Sequence, residues 1–129
     1  MSQRRVVVAD DVAPVLTAVS ELLRESFDIV AMVGDGNAAL EAILRLEPEL
    51  AVLDISMPGL SGIDVARELD RKGSKTRIVF LTVHQDADIL STCLSVKGLG
   101  YVVKVSMDND LIPAMNAALT GRVFVSRFS

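Results

Sequence analysis

Apolar residues in this chain come in short unbroken runs, and stretches of helical periodicity lie between them. Arg5–Ala9 is a β-branched run that closes on Asp10 and Asp11, and it reads as a fully buried strand. Pro14 then suits the first turn of a helix, where no backbone N–H is lost. Val15, Leu16, Val19, Leu22 and Leu23 recur at helical spacing to about Ser26. Asp28–Val33 is a second apolar run. The turn Gly34-Asp35-Gly36-Asn37 leads into a helix marked by Leu40, Ile43 and Leu44 and stopped by Pro48. Leu50–Leu53 predicts a third strand ending on Asp54, followed by a loop over Ile55–Gly62 that carries Met57-Pro58-Gly59. Ile63, Ala66 and Leu69 begin the third helix. Arg77–Leu81 predicts a fourth strand ending on Thr82, and Asp86–Val96 a fourth helix. Tyr101–Val103 is the fifth strand, ending on Lys104, and Leu111–Leu119 the fifth helix, closed by Gly121.

Five strands thus alternate with five helices, and the strands are continuous apolar runs rather than alternating ones. Both features predict an α/β fold: a doubly wound parallel sheet covered by helices on both faces. Right-handed crossovers leave few topologies, and the flavodoxin-like strand order 2-1-3-4-5 is the one expected at this size. Residues 1–121 read as one domain, and residues 122–129 as a tail or the start of a linker.

Composition narrows the class. With 129 residues, half of them hydrophobic and 23% charged, the chain makes one ordered domain and not a disordered segment. Its net charge of −4 argues against binding to nucleic acid phosphates by this chain itself. One cysteine makes no internal disulfide. The apolar run in MSQRRVVVADD is too short for a signal peptide or a membrane span, so a cytoplasmic domain without membrane contact is expected.

In open parallel sheets, ligands bind beyond the carboxyl ends of the strands. The residues there are Asp10 and Asp11, Asp54, Thr82 and Lys104. The expected strand order gathers the three carboxylates into one pocket, with a hydroxyl and an ammonium beside them. Such carboxylates repel unless a cation neutralises them or one takes a proton. An all-oxygen, open site suits Mg²⁺, and no His/Cys cluster suggests zinc. Lys104 can pair with a phosphoryl oxygen as a point charge, and Thr82 can donate to another. Asp54 is left as the nucleophile that accepts a phosphoryl group.

Together, Asp10-Asp11, Asp54 with Ile55-Ser56-Met57-Pro58-Gly59, Leu81-Thr82 and Gly100-Tyr101-Val102-Val103-Lys104 resemble the CheY-like receiver domain of two-component response regulators. The sequence Leu81-Thr82-Val83-His84, and the lysine without a following proline, resemble the NarL/FixJ-type subfamily. The closing Gly121-Arg122-Val123-Phe124-Val125-Ser126 resembles the end of such receivers, before a linker to a DNA-binding helix-turn-helix. The resemblance implies a switch rather than a metabolic enzyme, phosphorylated on Asp54 by a sensor histidine kinase. It implies direct Mg²⁺ contacts from Asp11, Asp54 and the backbone carbonyl of Ser56, with Asp10 acting through water. Thr82 and Lys104 would hold phosphoryl oxygens, and Tyr101 would turn into space that Thr82 leaves. The surface of the fourth helix, fifth strand and fifth helix would then repack, with a homodimer on phosphorylation as a family expectation. Ser56 and His84 would tune water access to the acyl phosphate. A helix-turn-helix does not fit in this length, so transcriptional output is expected to lie outside the chain.

Two departures from the family pattern stand out. Val96-Lys97-Gly98 replaces an Ala-Gly-Ala-like stretch before the fifth strand, and Val105 follows the lysine where other subfamilies place proline. Other readings fit less well. Gly34-x-Gly36-x-x-Ala39, with Asp54 twenty residues beyond Gly34, imitates a dinucleotide fingerprint. A complete strand–helix unit precedes it, however, whereas the fingerprint belongs to the first strand of its fold. A small turn and a small residue for close helix packing explain it. A Mg²⁺-dependent phosphohydrolase of the haloacid dehalogenase type also uses a strand-end aspartate, but it needs a second aspartate where this chain has Ser56.

Overall fold

The computed structural model describes residues 3–128. Strands β1 (Arg4–Ala9), β2 (Phe27–Val33), β3 (Leu50–Asp54), β4 (Arg77–Thr82), β5 (Gly98–Val103) and β6 (Phe124–Val125) form one sheet in the order β2-β1-β3-β4-β5-β6. All neighbouring strands are parallel. The helices are α1 (Ala13–Leu23), α2 (Gly36–Leu46), α3 (Gly62–Arg71), α4 (Ala87–Ser95) and α5 (Met107–Leu119), and a short 3-10 turn over Lys104–Ser106 precedes the last.

The continuous apolar runs are explained by a core on each face. Val7, Ala9, Leu53, Phe80, Tyr101 and Val103 pack with residues of α2, α3 and α4. Val6, Val8, Val52, Val79, Leu81 and Val102 pack with residues of α1 and α5. Successive strand residues point to opposite faces, so a strand covered on both sides has no place for a polar residue until it ends. Three helix starts are capped by the side chains that the sequence places there. Asp35 accepts from the Ala38 N–H, Ser61 from Asp64 N–H, and Asp86 from the Asp88 and Ile89 N–H groups. No side chain caps α1 in this way.

The sheet has six strands rather than the five predicted. β6 is two residues long and offers no pattern of its own; its pairing with β5 defines it. The chain beyond it stays on the sheet. The Ser126 N–H donates to the Tyr101 carbonyl at 2.8 Å. The buried Ser126 hydroxyl donates to Asp110 Oδ2 at 2.6 Å and accepts from the Val103 N–H at 3.1 Å. β5 begins at Gly98, three residues before the predicted Tyr101. Its glycines conceal the strand, because Phe80 and Val79 occupy the space their side chains would need. α5 begins at Met107, ahead of the predicted Leu111. Pro113 lies inside α5, and the polar turn before it holds Asp108 and Asp110 at the positive end of the helix.

Ser126→Ala removes two buried hydrogen bonds and leaves the Val103 N–H without a partner. A loss of about 1–3 kcal/mol in urea unfolding is expected. A change within about 0.5 kcal/mol would mean that the tail docks without contributing to stability.

Candidate functional site

Strand register builds the site before any side chain is considered. Ala9 of β1 lies opposite Leu53 of β3, so the next residues, Asp10 and Asp54, emerge side by side. Asp54 lies opposite Leu81 of β4, and Thr82 lies opposite Val103 of β5, which Lys104 follows. Parallel neighbours are about 4.8 Å apart, so four adjacent strand ends deliver their polar groups to one rim.

Carboxylate oxygens of Asp10, Asp11 and Asp54 all lie within 4.8 Å of one another. Asp10 and Asp54 are buried, at 1% and 4% exposure, and Asp11 faces solvent. Local turns aim the buried pair: Asp10 Oδ1 accepts from the Val12 N–H at 2.9 Å, and Asp54 Oδ1 from the Ser56 N–H at 3.2 Å. The Lys104 ammonium sits 2.8 Å from Asp10 Oδ2 and 3.4 Å from Asp54 Oδ2. Asp10 Oδ2 has no hydrogen bond of good geometry, and this ammonium is its charge partner.

The charges do not balance. Three carboxylates and one ammonium leave two net negative charges when all are ionised. Burial, and then the Asp10 charge, push the Asp54 carboxyl up to about 6, against the opposing pull of Lys104 and the Ser56 N–H. Burial draws the Lys104 ammonium down, but its contact with Asp10 and the charges of Asp54 and Asp10 outweigh this and hold it above its ordinary value. Oxygen-only donors, a charge deficit of two and an open side at Asp11 suit a small divalent cation such as Mg²⁺. Ser56, Met57 and Pro58 line a cleft next to Asp11. A groove at the opposite rim, lined by Arg4, Pro48, Lys72 and Thr76, holds no such cluster among the described residues.

The other predicted site residues surround this cup. Thr82 is fully buried, and its Oγ1 accepts from the His84 N–H at 3.0 Å. The Ser56 hydroxyl and His84 Nε2 meet at 3.3 Å. Tyr101 is the residue expected to turn into space that Thr82 leaves. It is already fully buried, its hydroxyl donates to the His84 carbonyl at 2.8 Å, and its ring packs on Phe128 at 5.9 Å. Sequence reasoning missed Phe128 because a single aromatic in a tail carries no signal of what it covers.

Comparison with known proteins agrees with this geometry. A family model described as the response regulator receiver domain matches residues 6–116. The transcriptional regulatory protein PdtaR of Mycobacterium tuberculosis is 36% identical over 118 residues, covering 91% of this chain and 57% of that protein. The oxygen regulatory protein NreC of Staphylococcus epidermidis is 34% identical over 124 residues, covering 94% and 57%. The chain therefore spans about half the length of the curated relatives it matches. The signal receiver domain of NarL from Mycobacterium tuberculosis superposes with a TM-score of 0.88 at 31% identity, covering 95% of this chain and 100% of that one. The isolated receiver domain of RcsB from Salmonella enterica, with the phosphomimetic BeF3⁻, gives 0.88 at 27% identity, covering 98% and 95%.

A carboxyl whose pKa rises on folding favours the folded state fully below its unfolded value, here near 3.8, and loses that contribution as the pH rises through about 6. In protein kept metal-free by a chelator, Asp54→Asn should therefore be more stable than wild type by about 1–3 kcal/mol near pH 7. The difference should close below about pH 4. Thermal unfolding of both proteins across that range checks it, and an equal gap at both ends would contradict the raised pKa.

Proposed function

The chain belongs to the response regulator receiver family, and on that footing we propose that it is a phosphorylation switch with Asp54 as acceptor. The supporting observation is the convergence of Asp10, Asp11 and Asp54 at one sheet rim, with the Lys104 ammonium 3.4 Å from Asp54. The donor is a phosphohistidine on a sensor histidine kinase. An Asp54 carboxylate oxygen attacks phosphorus, the phosphorus–nitrogen bond breaks, the imidazole nitrogen takes a proton, and an acyl phosphate forms on Asp54.

Each residue has a part. Asp11, Asp54 and the Ser56 carbonyl would hold Mg²⁺, with Asp10 assisting from beside them. The bound cation supplies positive charge that offsets the carboxylates and the incoming phosphoryl oxygens. Lys104 pairs with a phosphoryl oxygen as a point charge. The Thr82 hydroxyl uses a lone pair for the His84 N–H, so its proton remains free to donate to a second oxygen. Ser56 and His84, in contact across the cup, limit the approach of water to the acyl phosphate.

Thr82 and Tyr101 grip the two ends of His84: one accepts from its N–H, the other donates to its carbonyl. A Thr82 drawn toward a phosphoryl oxygen pulls this loop with it. The face of α4, β5 and α5 then shifts between two states close in free energy. That face serves homodimerisation or an output domain. Transcriptional control fits relatives that are longer transcriptional regulators, with DNA contacts outside this acidic chain.

Incubation with acetyl phosphate and Mg²⁺ should add one phosphoryl group by intact mass, and Asp54→Asn should abolish it. Asp11→Ala should raise the Mg²⁺ concentration for half-maximal phosphorylation by about 10-fold or more. Lys104→Ala should keep its far-ultraviolet circular dichroism but lose the response of α4 amide resonances to beryllofluoride. Labelling of Asp54→Asn at the wild-type rate, or hydrolysis of the donor by Asp54→Asn at the wild-type rate, would overturn the reading in favour of another acceptor or a phosphohydrolase.

A further inference from the structure

The glycine spacing that opens α2 has no part in the chemistry above, yet it touches the site. Gly36 is buried, and a β-carbon there would lie 1.9 Å from the Leu60 carbonyl oxygen and 2.6 Å from its carbonyl carbon. The Gly36 N–H donates to the Pro58 carbonyl at 3.2 Å. Next to it, Asn37 lies over Gly59, which adopts φ +75°; a β-carbon there would come within 2.7 Å of Asn37 Nδ2. The amino end of α2 thus clasps Pro58, Gly59 and Leu60, the outer half of the loop between Asp54 and α3.

The inner half is fixed from the sheet side. Ser56 N–H donates to Asp54 Oδ1, Gly62 N–H donates to the Ile55 carbonyl at 2.9 Å, and Ile55 and Met57 are buried. Ser56, exposed between those two, is held from both directions.

We propose that Gly36 and Asn37 are positioning residues for the cation site, setting the loop that presents the Ser56 carbonyl beside the acidic cluster. This rests on the receiver reading, in which that carbonyl is a ligand. The obstacle at position 36 is backbone, not the end of a flexible side chain, so an added methyl moves the loop. Restoring ordinary contact needs a shift of about 1.5 Å, whereas Mg²⁺–oxygen distances are held to within a few tenths of an ångström.

The test is calorimetric Mg²⁺ titration of the full chain as wild type, Gly36→Ala, Asn37→Ala and Gly73→Ala. Gly73, φ +74° with nothing within 4 Å of its would-be β-carbon, lies after α3 at the far rim and controls for general backbone strain. Gly36→Ala should weaken Mg²⁺ binding about 10-fold or more, and Asn37→Ala about 2- to 5-fold. Gly73→Ala should lower the melting temperature without changing Mg²⁺ affinity. In phosphorylation by acetyl phosphate, the half-saturating Mg²⁺ concentration of Gly36→Ala should rise by the same factor as its dissociation constant. Its rate at saturating Mg²⁺ should stay within about twofold of wild type.

Folded Gly36→Ala with wild-type affinity overturns the proposal, as does an equal loss in Gly73→Ala. If Gly36→Ala does not fold, Asn37→Ala decides: weakened binding supports the proposal and unchanged binding overturns it. A wild-type chain that binds no Mg²⁺ overturns the reading of the cup as a Mg²⁺-dependent phosphorylation site, and this proposal with it.

Discussion

Two buried carboxylates forced together by strand register are the constraint on which the site depends. Asp10 follows β1 and Asp54 ends β3, and the register of these neighbouring parallel strands sets the two side by side. One ammonium, Lys104, reaches both, and it does not neutralise the cluster. Burial, and then the Asp10 charge, drive the Asp54 proton affinity upward, and the excess negative charge makes the cup receptive to a cation. Stability is given up at this crowded rim, and it is recovered in the two apolar cores beneath it.

The same arrangement links Asp54 to a distant face. β4 and β5 deliver Thr82 and Lys104 to the cup, and just inside it their paired residues Leu81 and Val102 join the core shared with α5. His84 is bonded through its N–H to Thr82 and through its carbonyl to Tyr101, whose ring in turn meets Phe128 near the end of the chain. A change at the rim therefore has a short covalent and hydrogen-bonded route to α4 and to the tail.

Much of this was legible in the sequence. Buried parallel strands need uninterrupted apolar runs, so Val6–Val8, Ala51–Leu53 and Val79–Leu81 showed themselves directly, and the first polar residue after each run marked the functional rim. What stayed hidden depends on partners far along the chain. β6 exists through its bonds to β5, and the glycine-rich start of β5 is occupied by Phe80 and Val79 rather than by its own side chains. The first turn of α5 is polar and so lacks the apolar spacing that marks a helix. The inward setting of Tyr101 involves a ring 27 residues later. Gly36 looked like an ordinary turn residue because the Leu60 backbone that excludes any larger side chain there belongs to another loop.

The chain contains a single tyrosine and no tryptophan. That tyrosine sits where the His84 loop, β5 and the tail meet, with its phenol proton committed to one carbonyl. Its intrinsic ultraviolet emission is therefore an unlabelled, site-specific optical signal. Any rearrangement that releases the phenol or lifts Phe128 from the ring changes that light without a competing fluorophore in the chain.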